Sequence, residues 1–239
     1  MAPMPGLPVP PALTVGIPFM PFSPLRLLLF ILALIVLVVF VQLGIVAIAF
    51  GKLGLSADSA YVLIIATLVG SPINLPLFRI PSGTSPARIL PFEVRRRLGI
   101  RGRPFPNQTV IAVNVGGCVI PVAFSIYLLV HGGVGIGAAA LAVAVVGVVA
   151  YGLSRPVQGV GIGMPVFVPP ITAALVAVLL DPAHSAPLAY VGGTLGVLLG
   201  ADLLRLKDIG QMGAPVAAIG GAGTFDGIFL TGIVAVLLA

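Results

Sequence analysis

The chain has 239 residues, 59% of them hydrophobic and only 8% charged, where an ordinary soluble domain carries about 25% charged residues. That composition argues against a water-soluble fold and equally against a disordered chain. The 31 glycines and 23 prolines are too many for an uninterrupted coiled coil. A net charge of +6 arises from 12 basic and 6 acidic residues, and its distribution separates the partners it could serve. Seven basic residues, Arg79, Arg88, Arg95, Arg96, Arg97, Arg101 and Arg103, crowd one connecting segment with little aromatic interleaving for base stacking. This pattern suits a cytoplasmic loop beside anionic lipid headgroups rather than nucleic acid.

In chain order, residues 1–24 hold eight prolines and no basic residue, which fits neither a signal-peptide start nor a stable helix. They are expected to form an irregular cytoplasmic tail, with residues 25–239 forming a single transmembrane domain. A spanning helix needs about 20 apolar residues, and seven segments qualify, at approximately 25–50, 57–78, 107–130, 134–153, 164–180, 186–204 and 214–238. Strands are not expected, because Leu27 to Val41 is continuously apolar where a barrel strand would alternate. The predicted fold is all-α: a polytopic membrane helix bundle of about seven transmembrane helices, with the second, fifth and last helices broken.

Prolines and glycines mark the breaks. Gly70-Ser-Pro-Ile-Asn-Leu-Pro interrupts the second span and Met164-Pro-Val-Phe-Val-Pro-Pro the fifth. Each frees backbone carbonyls that need a polar partner or a cavity, and Asn74, Asn114, Thr172 and Ser71 are at hand. Between the second and third spans, residues 79–106 form the basic cytoplasmic loop, in which Phe92 to Arg97 is expected to make a short interfacial helix. Gly159-Val-Gly-Ile-Gly lacks the strand-to-helix setting of a dinucleotide loop and reads as a flexible approach to the fifth span. With the N-terminus inside, eleven of the twelve basic residues fall on the cytoplasmic side and only Lys52 outside, which places the C-terminus on the outer face. A single cysteine, Cys118, excludes an intramolecular disulfide, and the two histidines, His131 and His184, form no cluster at metal spacing. No metal and no cofactor are expected.

Acidic residues carry the functional reading, since a charge in hydrocarbon costs at least about 2.5 to 3.5 kcal/mol. Asp58, Glu93, Asp181 and Asp208 all have solvated positions at helix ends or in loops. Asp202 and Asp226 do not, so they are the candidate catalytic pair. If Gly220, Gly221 and Gly223 interrupt the last span, its regular part starts near Thr224 as N-cap, and Asp226 falls in the first turn on the same side as Asp202. Gly221, Gly223, Thr224, Asn74 and Asn114 are the candidate substrate-binding residues. Gly192, Gly196 and Gly200 recur every fourth residue, a stripe suited to close helix packing and offering a surface for self-association. Helical phase turns Asp202 away from that stripe.

The order of the last two spans resembles the intramembrane aspartyl proteases, the presenilin and signal-peptide-peptidase group, in which one aspartate closes a helix and a Gly-x-Gly-Asp motif opens the next. Ala201-Asp202-Leu-Leu-Arg-Leu-Lys would correspond to the first element and Gly221-Ala-Gly223-Thr-Phe-Asp226-Gly-Ile-Phe to the second. The likeness covers about 45 residues and departs from the pattern at Ala201, at the two residues between Gly223 and Asp226, and in lacking a later Pro-Ala-Leu element. It implies peptide hydrolysis within the bilayer, on an unwound transmembrane peptide. The whole chain is also similar to an uncharacterised family of prokaryotic multi-pass membrane proteins, which implies an inner (plasma) membrane location. Two other functions stay open: an ion-coupled carrier of a small solute, whose broken helices coordinate the cargo, and a non-catalytic assembly subunit in which Asp202 pairs with Arg205 or Lys207.

Overall fold

The computed structural model describes residues 44–45, 48–81, 108–157, 161–209, 216–221 and 227–239. The chain divides into two units, Met1–Leu43 and Gly44–Ala239, and every described residue belongs to the second. The Pro-rich tail and the greater part of the basic loop lie outside these residues, as does the expected interfacial helix.

Residues 48–52 are helical. Helix α1, Ala57–Gly70, is opened by Ser56, whose hydroxyl accepts from Ser59 N at 3.3 Å. It ends where Pro72, which has no N–H, cannot extend the ladder. The predicted second span therefore stops at Gly70, and strand β1, Asn74–Pro81, takes over. The third span is likewise part strand: β2, Gln108–Asn114, then a π-helical turn, Val115–Val119, and helix α2, Ile120–His131. The last span divides into β5, Val216–Ile219, and helix α7, Gly227–Leu238. The all-helical expectation is corrected at these three places. Short apolar runs such as Thr109-Val-Ile-Ala-Val fit a buried strand as well as a helix, and pairing decides. β1 pairs antiparallel with β2, from Asn74 opposite Asn114 to Pro81 opposite Gln108, and β5 joins β2 in parallel. The order β1-β2-β5 leaves β1 at an edge, where Pro76 and Pro81 are tolerated.

Between the two halves of this sheet the chain forms α3, Ile136–Leu153, a small antiparallel hairpin of β3, Arg155–Val157, with β4, Gly161–Gly163, and α4, Val168–Leu180. Of the prolines expected to break the fifth span, Pro165 precedes α4, and Pro169 and Pro170 stand in its first turn, where their missing N–H groups are not needed. Of the glycine run before this helix, Gly161–Gly163 form β4, and Gly159 and Val160 lie outside the described residues. A 3₁₀ turn at Pro182–His184 leads into α5, Ser185–Val197, which continues as a π-helical segment, Leu198–Leu203, and then the short α6, Leu206–Ile209.

The described structure is mostly helical, and two of its helices, Ile136–Leu153 and Pro182–Leu203, are long and apolar enough to cross a membrane. Helix α5 is the centre of the packing. On one side a Cβ at Gly192 would sit 2.9 Å from Ala142 Cβ and one at Gly196 2.7 Å from Val146 Cβ, while one at Gly200 would collide with the Gly147 carbonyl. The stripe thus seats α3 of the same chain. On the other side a Cβ at Gly193 would sit 3.3 Å from Ala173 Cβ of α4 and 3.3 Å from Thr231 Cγ2 of α7.

Candidate functional site

One end of the three-stranded sheet gathers most of the polar groups predicted to matter. Asn74 opens β1, Asn114 closes β2 opposite it, and Gly220 follows Ile219, the residue of β5 that pairs with Val113. Asn114 is fully buried and its amide is fully used. Nδ2 donates to Ser71 O at 2.6 Å and to Asn74 Oδ1 at 3.0 Å, and Oδ1 accepts from Gly117 N at 2.7 Å. One side chain therefore ties the end of α1, the start of β1 and the π turn before α2, and it meets the Ser71 carbonyl freed by the Pro72 break. Thr172, the other predicted partner for freed carbonyls, donates to Val168 O within α4 at 2.9 Å.

Gly220 faces this junction with φ of 84°, followed by Gly221 at 89°, a backbone state that side chains with a Cβ rarely adopt. Space demands glycine here as well: a Cβ on Gly220 would lie 2.6 Å from Cys118 Cβ, and one on Gly117 would strike the Gly220 carbonyl. The pair follows strand β5, where the sequence predicts a helix interrupted by glycines, and Gly223 lies outside the described residues.

Asp202 reaches the same place from α5. It lies on the π-helical segment, half-buried, and its Oδ2 accepts from Gly220 N at 2.7 Å. A π turn re-aims side chains relative to an α-helix, and here it coincides with the carboxylate that meets the sheet end. The bond is charge-assisted, a stronger class than a neutral amide contact. Asp202, Asn74, Asn114 and Gly221 are thus brought to one junction, linked through Gly220. Gly223, Thr224 and Asp226 lie outside the described residues, and α7 begins at Gly227, directly after Asp226. A carboxylate held by a backbone amide at the mouth of a glycine-rich turn can exchange a proton with a second carboxylate or accept a hydrogen bond from a ligand. Among the described residues no three His, Cys, Asp or Glu side chains cluster as metal ligands.

Beside this site stands a group that charge counting alone did not reveal. Arg205 donates through Nε to Ser154 Oγ at 3.1 Å and through Nη2 to Tyr151 O at 2.7 Å and Ser154 O at 3.0 Å; its Cζ lies 4.2 Å from the Tyr151 ring centroid. Nη1 pairs with Asp208 Oδ2 at 3.0 Å, so the carboxylate partner of Arg205 is Asp208. The guanidinium caps the carbonyl end of α3 from the end of α5. No local pattern announces it, because Arg205 and Tyr151 are 54 residues apart.

The sequence profile described as "Protein of unknown function (DUF1614)" matches residues 68–238. The chain belongs to this family. The DUF1614 match starts in the last turn of α1 and ends with α7, so it contains the whole junction around Asp202. No curated protein and no solved structure matches the chain.

Proposed function

We propose that this DUF1614 protein is a membrane-embedded hydrolase in which Asp202 and Asp226 act as a carboxylate pair on an extended, unwound transmembrane peptide. The two acids share one proton, since neighbouring carboxylates resist ionising together. One takes a proton from water as the water oxygen bonds to the peptide carbonyl carbon; the other gives its proton to the departing amine as the C–N bond breaks. The observation that supports this reading is the hydrogen bond from Gly220 N to Asp202 Oδ2 at 2.7 Å. It fixes one carboxylate at the opening of the segment that carries the other, and six residues of chain reach at most about 20 Å, a radius that includes Asp202. Gly221, Gly223 and Thr224 would offer backbone and hydroxyl groups to the peptide, with Asn74 and Asn114 holding the opposite wall. The membrane we assign is a prokaryotic plasma membrane, N-terminus inside and C-terminus outside, on the strength of the one-sided basic residues.

A second reading, an ion-coupled carrier of a small solute, draws on the interrupted helices. α1 stops at Gly70, and π segments occupy Val115–Val119 and Leu198–Leu203, which supplies half-helix ends and turned carbonyls of the kind that hold cargo.

Purified full-length protein in liposomes, given a quenched fluorescent transmembrane peptide, separates them. Asp202→Asn and Asp226→Asn are each expected to lower cleavage by at least about a hundredfold, with the melting temperature of Asp226→Asn unchanged. Cleavage by Asp226→Asn at the wild-type rate sinks the hydrolase, and solute-dependent proton or sodium flux without cleavage establishes the carrier.

A further inference from the structure

Away from the Asp202 junction, α1 and α2 diverge to leave an open groove of about 500 Å³, within the range of small-ligand sites. Leu55, Asp58, Val62 and Ala66 form one wall, and Phe124 and Tyr127 the other. Asp58, Val62 and Ala66 lie four residues apart on α1, so their side chains share a face, and Leu55 precedes the helix. The groove is polar at one end only. Asp58 and Ser59 stand in the first turn of α1, and from Val62 to Ala66 the wall is apolar for about 6 Å.

Asp58 has neither an ion-pair nor a hydrogen-bond partner among the described residues. The positive end of α1 explains why an acid is tolerated there, and the apolar trough runs on from that acid. A carboxylate heading an apolar channel selects an occupant of complementary form: a cationic head for Asp58 and an unbranched apolar tail to run along Val62 and Ala66 between the helices. Neutral amphiphiles would gain only the tail contact, and anionic ones would be repelled.

We infer that the α1–α2 groove is a binding site for a single-chain lipophilic ammonium ion, with its head at Asp58 and its tail against Val62, Ala66, Phe124 and Tyr127. The site is separate from the Asp202 junction, and the α1 wall as far as Ala66 precedes the DUF1614 match.

Equilibrium binding of radiolabelled decyltrimethylammonium to the purified full-length protein, in neutral maltoside micelles, tests it. One saturable site is expected, displaced by unlabelled probe and poorly by decanol or decyl sulfate. Asp58→Asn should weaken binding about tenfold, and Val62→Trp, which fills the trough, should remove it; circular dichroism and melting verify that both variants fold. The inference fails if Asp58→Asn binds the probe as tightly as the wild type, if decanol competes as well as the cation, or if folded Val62→Trp retains the site.

Discussion

Helices α3 and α5 pack against each other and differ in a telling way. α3, Ile-Gly-Ala-Ala-Ala-Leu-Ala-Val-Ala-Val-Val-Gly-Val-Val-Ala-Tyr-Gly-Leu, is the more apolar, yet only 28% of its residues are buried; in an 18-residue window of the stretch from Pro182 to Leu203, which carries Ser185, Thr194 and Asp202, the share is 72%. In water the order would be reversed, since the more apolar helix gains more from burial. Here Ile136, Leu141 and Val148 point outward while glycines, Thr194 and Tyr190 fill the interior. Such an arrangement suits apolar surroundings, in which helices associate through small residues and close van der Waals packing rather than through apolar burial.

If that comparison is right, enlarging a side chain should cost much more on the glycine stripe of α5 than on the outward face of α3. Gly200→Leu places a side chain against the Gly147 backbone, which cannot yield as a flexible side chain can, so a loss of about 3 kcal/mol or more is expected. Val148→Leu on the outward face of α3, where Val148 is 72% exposed, should change stability by less than about 0.5 kcal/mol. Thermal unfolding of both variants in the same detergent checks the pair. Equal losses would mean that α3 is as enclosed as α5 and would break the comparison.

Much of the contrast is legible in the sequence. The glycine spacing at 192, 196 and 200 announces a close helix contact, whereas the π-helical segment that carries Asp202 departs from the α-helical phase by which its direction is reckoned from the sequence. The break at Gly220 and Gly221 is likewise readable, because few other residues accept positive φ. The strands are not. Gln108–Asn114 and Val216–Ile219 are apolar runs whose identity depends on partners about a hundred residues apart, and a spanning-helix criterion absorbs them into helices of the right length. For the same reason Asn114 reads as a partner for freed carbonyls but not as the residue that joins three elements. The Arg205 cap on α3 is a tertiary contact with no sequence period at all.

That cap gives the second way to sharpen the comparison, since it ties the end of α5 to the carbonyl end of α3. Arg205→Lys keeps the charge but replaces a planar fork with a single ammonium, which cannot serve Ser154 Oγ, the Tyr151 and Ser154 carbonyls and Asp208 together or lie over the Tyr151 ring. A loss of about 1 to 2 kcal/mol is expected, accompanied by faster amide exchange in the last turn of α3 and little change in α4. Asp208→Asn removes only the partly exposed ion pair and should cost less than about 1 kcal/mol. Should Arg205→Lys prove silent, the ends of α3 and α5 hold together by packing alone.

The smallest effect belongs to the opposite end of α5, where the 3₁₀ turn enters it. Desolvation is the largest single influence on Asp181 and raises its pKa, but the ring and backbone N–H of His184 and the backbone N–H of Ala183 together outweigh it and hold the carboxyl below its ordinary value of 3.8. A carboxylate whose folded pKa is depressed contributes stability above its unfolded pKa and loses that contribution as pH falls through the folded value. The turn into α5 should therefore tighten little between pH 5 and pH 7 and loosen below about pH 4. Because Asp181 is partly exposed and its partners are local, the change is expected in local amide exchange at Ala183 and His184 more than in the global melting temperature. Asp181→Asn should flatten this acid-side dependence while leaving the Gly200 and Arg205 effects intact, since neither residue shares a partner with the 3₁₀ turn. A dependence that survives in Asp181→Asn would have to arise from another acid, and would remove this turn from the account of how α5 is held.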